Sequence, residues 1–173
     1  YTTAVVIGSP VNVRTSPSAT AAVVDSFAEG QQILMKDFVG DAVTVGTLTD
    51  RWVAVKTPSG RTGFVFGAFL FPIAKLTEQP WFTSTAAGGD VLVRVTFRPD
   101  KTFLYENFPY SDAARTTKMG TWQLQGRKLL LTVTDVNVPA AGRVGEQLTL
   151  FLYRHDQDEA LTDDNSRVIS GPG

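Results

Sequence analysis

Short runs in which β-branched and aromatic residues alternate with polar ones dominate the chain, and apolar residues seldom recur at helical spacing for more than one turn. The first series is Ala4–Ile7, Val11–Arg14, Val23–Phe27, Gln32–Phe38, Ala42–Leu48, Arg51–Lys56 and Arg61–Phe66. Gly8-Ser9-Pro10, Ser16-Pro17-Ser18, Glu29-Gly30, Gly40-Asp41, Thr49-Asp50 and Pro58-Ser59-Gly60 divide them, and each divider carries turn chemistry. Alternation lapses between Pro72 and Pro80 after Gly67–Phe71. A second series then begins with Val91–Phe97, Thr102–Tyr105, Gly120–Gln125, Arg127–Val133 and Glu146–Arg154. The pattern predicts an all-β protein with a boundary near Ala74–Gln79, hence domains at 1–76 and 77–173. Domains of this size are marginally stable alone, which predicts a shared interface. Neither a low-complexity tract nor a repeat of solenoid length is present.

Charge and composition narrow the chemistry. The 173 residues hold 16 Lys+Arg against 17 Asp+Glu, for a formal charge of −1, with 6 basic and 5 acidic residues up to position 76 and 10 and 12 after it. Non-specific nucleic-acid binding depends on neutralising phosphates with Lys and Arg, so nucleic acid is not an expected partner. No apolar run reaches the length of a membrane-spanning helix, so the chain reads as soluble with no transmembrane segment. With no Cys there is no thiol nucleophile, disulfide or Cys-ligated metal, and with one His a multi-His zinc hydrolase is not expected. His155 and Asp156 point to opposite faces of a continuing strand and cannot orient one another for Ser–His–Asp catalysis. His155 reads as a surface residue. The acidic run Asp156, Asp158, Glu159, Asp163 and Asp164 lacks the ligand spacing of a calcium loop and reads as solvated. No glycine-rich phosphate loop occurs. The expectation is no enzyme, no metal and no cofactor.

Val11-Asn12-Val13-Arg14 with Pro17 shortly after, Phe27-Ala28-Glu29-Gly30, Trp52-Val53-Ala54-Val55 and Thr62-Gly63-Phe64-Val65 followed by Phe69-Leu70 occur in this order. Over residues 4–71 this series resembles the bacterial SH3-like domain, whose strands close a small barrel. Phe64 stands where the family carries Trp or Tyr, and the stretch Phe38–Asp50 is longer than the family's connection. It reads as a hairpin around Gly40-Asp41 that extends from the barrel as an added interaction surface. Alternation puts Val11 and Val13 on one face and Asn12 and Arg14 on the other. Asn12 and Arg14 read either as bracing or ion-paired surface residues or as ligand contacts. Trp52 reads as core or as a ligand platform, and Phe64 as core. The resemblance implies a binding module for peptidoglycan or its peptide stems, without catalysis.

In the second half, Phe97-Arg98-Pro99-Asp100-Lys101-Thr102-Phe103 predicts a β-hairpin, Gly120-Thr121-Trp122 and Gly126 to Leu131 predict another, and Leu148, Leu150 and Leu152 alternate with polar and aromatic residues. These motifs resemble the small lipocalin-like barrels of bacterial envelope lipoproteins, with Lys101 where those domains commonly place Gly. Six to eight antiparallel strands are expected. Trp81, Tyr105, Phe108, Tyr110, Trp122, Phe151 and Tyr153 are candidates for a cavity or mouth, with Trp122 as a plug at the barrel base. Asn107–Asp112 carries two aromatics that must pack over a barrel end or meet a partner.

The combined expectation is a non-enzymatic, two-domain binding protein of the bacterial cell envelope: an SH3-like small barrel before an antiparallel lipocalin-like β-barrel. Asn12, Arg14, Trp52 and the hairpin beginning at Phe38 are the expected ligand-binding positions of the first domain. Tyr105, Phe108 and Tyr110 are those of the second. The partner is cell-wall peptide, peptidoglycan or an envelope protein, and the alternative is a small apolar ligand carried in the second barrel. Residues preceding Tyr1 are expected to carry a signal and a lipid anchor, giving a periplasmic or extracellular protein.

Overall fold

The computed structural model describes residues 1–84, 91–109, 114–155, 157–163 and 168–170, with only the backbone at Ser84, Val91, Leu92 and His155. Two compact units form: Tyr1–Lys75 together with Tyr153–Glu159, and Leu76–Leu152 together with Ala160–Gly173. The return of residues 153–159 to the first unit has no counterpart in a single cut at 76.

The first unit contains β1 (Thr2–Val6), β2 (Val11–Arg14), β3 (Val23–Phe27), β4 (Gln32–Val45), β5 (Leu48–Lys56), β6 (Thr62–Phe66) and β7 (Leu70–Pro72). They form an antiparallel half-barrel in the order β3-β2-β6-β5-β4-β1-β7. Alternation decides its inside: Ala4, Val6, Val11, Val13, Phe27, Ile33, Met35, Val53, Val55, Val65 and Leu70 pack into one core. The pairing of β6 with β2 depends on Gly63: a Cβ there would come within 2.9 Å of the Arg14 carbonyl oxygen and 2.5 Å of a Val13 methyl, so the Thr-Gly-x-Val strand lies against β2 only without a side chain at that position.

The expected hairpin exists, but its reversal lies elsewhere. Strand β4 runs through Gly40-Asp41 without turning, and the chain reverses at Gly46-Thr47, where Gly46 has φ 64°. Val39 pairs with Trp52 and Val43 with Asp50, so Gly40-Asp41 lies in a bulge that absorbs two extra residues. The reason is that Gly with positive φ serves a bulge as well as a turn, and Gly40 has φ 69°. Beyond the bulge the two strands pair only with each other.

A short helix, α1 (Lys75–Glu78), precedes the second unit. Its strands are β8 (Trp81–Ser84), β9 (Val91–Phe97), β10 (Thr102–Asn107), β11 (Thr116–Gln125), β12 (Lys128–Val136), β13 (Gln147–His155), β14 (Asp158–Thr162) and β15 (Val168–Ser170). They close an eight-stranded barrel in the order β10-β11-β12-β13-β14-β15-β8-β9. Closure leaves no sheet edge. Inward positions carry buried Trp81, Phe97, Phe103, Trp122, Leu131, Leu150 and Leu161. Trp122 closes one end: its indole N–H donates to the Arg98 carbonyl at 3.1 Å, and the Lys101 ammonium lies 3.8 Å above its ring. Lys101 adopts φ 68°, a left-handed backbone conformation that favours glycine.

Candidate functional site

On the outer surface of the first unit, β2, β6 and β5 align Arg14, Phe64 and Ala54 as cross-strand neighbours. Asn12 lies two residues along the same face and is exposed, while Arg14 and Phe64 are half-buried. Val23, opposite Arg14 and 51% exposed, extends the apolar part of this surface. Arg14 donates through Nη1 to the Ala21 carbonyl at 2.6 Å, and Thr15 N–H donates to the Ala22 carbonyl at 3.0 Å. Arg14 therefore braces the loop before β3 and keeps further donors on the same guanidinium. Phe64, expected in the core, instead points outward because Gly63 and Val65 take the inward positions of β6.

Trp52 lies on the same outward face, opposite Phe66, yet is only 5% exposed. Its ring centroid is 5.5 Å from Phe66, which sits 6.1 Å from Phe69. This aromatic cluster is packing. Phe38 belongs to the other face, paired with Val53, and its ring is flanked by the guanidiniums of Arg51 at 4.4 Å and Arg154 at 5.1 Å. Next to it Asp50 accepts from Arg154 through Nε at 2.6 Å and Nη2 at 3.2 Å, and Arg154 Nη1 donates to Glu159 at 2.7 Å. Asp50 and Arg154 are buried. The structure thus brings Asn12 and Arg14 together with Phe64 and separates them from Phe38.

In the second unit Tyr105 faces inward like Phe103 and lies opposite Lys118, whose ammonium is 6.0 Å from its ring. Lys118 donates to both Glu146 oxygens, at 3.1 and 3.0 Å. That bond, more than burial opposes it, holds the Glu146 carboxyl below the usual glutamate range. Phe108 is half-buried, with the guanidiniums of Arg94 and Arg115 at 5.3 and 5.6 Å from its ring. Both arginines also reach the buried Glu106: Arg94 through Nε and Nη2, the latter at 2.8 Å, and Arg115 at 3.1 Å. The Arg94 hydrogen bond lowers the Glu106 carboxyl and raises Arg94. Phe108 is therefore seated on two cations. Tyr110, Asp156 and the His155 side chain lie outside the described residues. Among the described residues no group of three His, Asp or Glu could hold a metal.

Sequence reasoning missed the Asp50–Arg154 pair, which joins residues 104 apart. Its one signal was an Arg placed on the apolar side of the Leu148-Leu150-Leu152 alternation. Residues 9–71 match the family model of the bacterial SH3 domain. That match suggests a binding module, of a kind often directed to the cell wall. Neither a curated protein nor a solved structure matches the chain. Among the described residues no helix is long and apolar enough to cross a membrane.

Proposed function

We propose that this chain is a non-enzymatic binding protein of the bacterial cell envelope, periplasmic or extracellular, whose SH3 domain recognises cell-wall peptide or a protein partner. The observation that carries the reading is the Asn12–Arg14–Phe64 surface. An aromatic face to cover an apolar side chain, a guanidinium for a carboxylate and an amide for a peptide group stand together on rigid strands. The SH3 match supports the same role, and affinity on such a small surface is modest. The closed barrel of the second unit favours the lipocalin-like reading of its architecture. The barrel is read as a partner or positioning module.

Co-sedimentation of the intact protein with isolated peptidoglycan sacculi at two salt concentrations tests the wall ligand. Pelleting is expected at low salt, reduced at high salt, and reduced several-fold by Phe64→Ala or Asn12→Ala with the fold retained. Absence of pelleting at both salt concentrations overturns the wall ligand and leaves the protein-partner reading.

A further inference from the structure

Further round the outer surface of the first unit, over β5, β4 and β1, lies an open groove of about 500 Å³ lined by Thr3, Gln32, Leu34, Lys56, Pro58 and Ser59 among others. Its floor is one cross-strand row, with Thr3 opposite Leu34 and Leu34 opposite Lys56. Side chains in such a row project together. Leu34 is 44% exposed although its neighbours in sequence, Ile33 and Met35, are core residues, so a large aliphatic group is left to water at the centre of the groove.

The turn from Thr57 to Gly60 forms one wall, and its own hydrogen bonds hold it. Thr57 N–H donates to the Arg61 carbonyl at 2.8 Å, and Gly60 N–H to the Thr57 carbonyl at 2.9 Å. The buried Thr57 hydroxyl accepts from Arg61 N–H at 3.1 Å and bonds the Ser59 hydroxyl at 2.8 Å. A wall already ordered in the free protein loses little conformational entropy when a ligand arrives. The charge is one-sided. Lys56 is exposed, the lining contains no carboxylate, and Lys56 makes no ion pair with any described residue.

We propose that this groove binds a short, extended, acidic peptide: a carboxylate on the Lys56 ammonium, an aliphatic side chain over Leu34 and Pro58, and peptide groups against Gln32 and Thr3. The volume lies in the range of about 300–1,000 Å³ in which small-ligand sites fall. A glutamate side chain and a free peptide C-terminus offer the same carboxylate. The site is separate from Asn12, Arg14 and Phe64, so it stands or falls apart from the wall-binding reading.

The test is titration of the intact ¹⁵N-labelled protein with three peptides, followed by amide chemical shifts. They are acetyl-Ala-Leu-Glu-Ala-amide, the same peptide with Gln for Glu, and acetyl-Ala-Leu-Ala-Ala with a free carboxyl end. Saturable shifts are expected over residues 32–34 and 56–61 with at least one carboxylate peptide, and the tighter of the two identifies the source of the carboxylate. The Gln peptide is expected to bind at least five-fold more weakly than the Glu peptide if the side chain is that source. Lys56→Gln is expected to weaken the best peptide at least five-fold, and Leu34→Ser to weaken it independently, while amide positions away from the groove stay unchanged. No saturable shifts, shifts confined to the Asn12–Phe64 surface, or unaltered affinity in Lys56→Gln each overturn the proposal. The sacculus assay reads a different surface, so its failure leaves this outcome untouched.

Discussion

At the scale of single residues, burial separates side chains that alternation alone treats alike. Trp52 and Phe64 both point outward from neighbouring strands, but Trp52 is covered by the aromatic cluster and Phe64 is half-open. Trp52→Ala is expected to destabilise the protein by about 3–5 kcal/mol, as removal of a buried aromatic does, measured by urea denaturation. A Trp52→Ala protein of unchanged stability would return that residue to the ligand surface. Strand periodicity predicts which way a side chain points. It carries no information on what covers the outside of a sheet, which leaves Trp52 open between core and ligand platform, whereas the Gly63-Phe64-Val65 alternation itself points Phe64 outward. Glu106 gives a second residue-scale expectation. Because its folded carboxyl titrates below the unfolded one, its contribution is complete above the ordinary glutamate range and is lost as pH falls through the lower, folded value. Urea midpoints measured from neutral pH into this acid window are expected to fall less steeply in Glu106→Gln than in the parent.

Elements inherit their form from a few backbone requirements. The turn between β9 and β10 is closed by Lys101 N–H donating to the Arg98 carbonyl at 3.1 Å, and Asp100 accepts from the Thr102 hydroxyl at 2.6 Å. That hydroxyl bond is the main reason the exposed Asp100 carboxyl lies below the usual range. Lys101 completes the turn at positive φ while its ammonium covers Trp122. Lys101→Ala and Lys101→Gly both remove the ammonium, so the difference between them isolates the backbone. Ala is expected to be the less stable by about 1 kcal/mol, since a left-handed conformation costs an L-residue roughly that amount. Equal unfolding midpoints for the two would remove backbone strain from the account. Most strands were legible because apolar and polar residues alternate with period two, as in Val11–Arg14 and Leu148–Tyr153. The β4–β5 reversal was not. Gly40-Asp41 and Gly46-Thr47 both supply Gly at positive φ, and the choice between bulge and turn follows from pairing across the hairpin.

For the whole molecule, the decisive contact joins positions far apart in the chain. Asp50 is fully buried, and the charge that balances it comes from Arg154, in the segment Tyr153–Glu159 that belongs to the first unit. Arg154→Met is expected to cost about 3–5 kcal/mol, because it strands a buried carboxylate. Adding Asp50→Asn in the same chain is expected to recover part of that loss, since the neutral amide keeps an acceptor for Arg51 N–H, which bonds Asp50 at 2.7 Å. If the double substitution is no more stable than Arg154→Met, the buried charge is not the cause. No local pattern announces such a pair: Thr49-Asp50 reads as turn chemistry and Arg154 as the end of a strand, and only the folded chain brings them together.

The same pair sets an order of events during synthesis. A ribosome delivers Asp50 first and Arg154 only after 104 further positions, an interval of about 5–20 s at elongation rates of about 5–20 residues per second. From the delivery of Pro72 onward the nascent N-terminal half has every strand from β1 to β7 but lacks its counter-ion. Completion of the first unit is thereby timed to the arrival of the last quarter of the polypeptide.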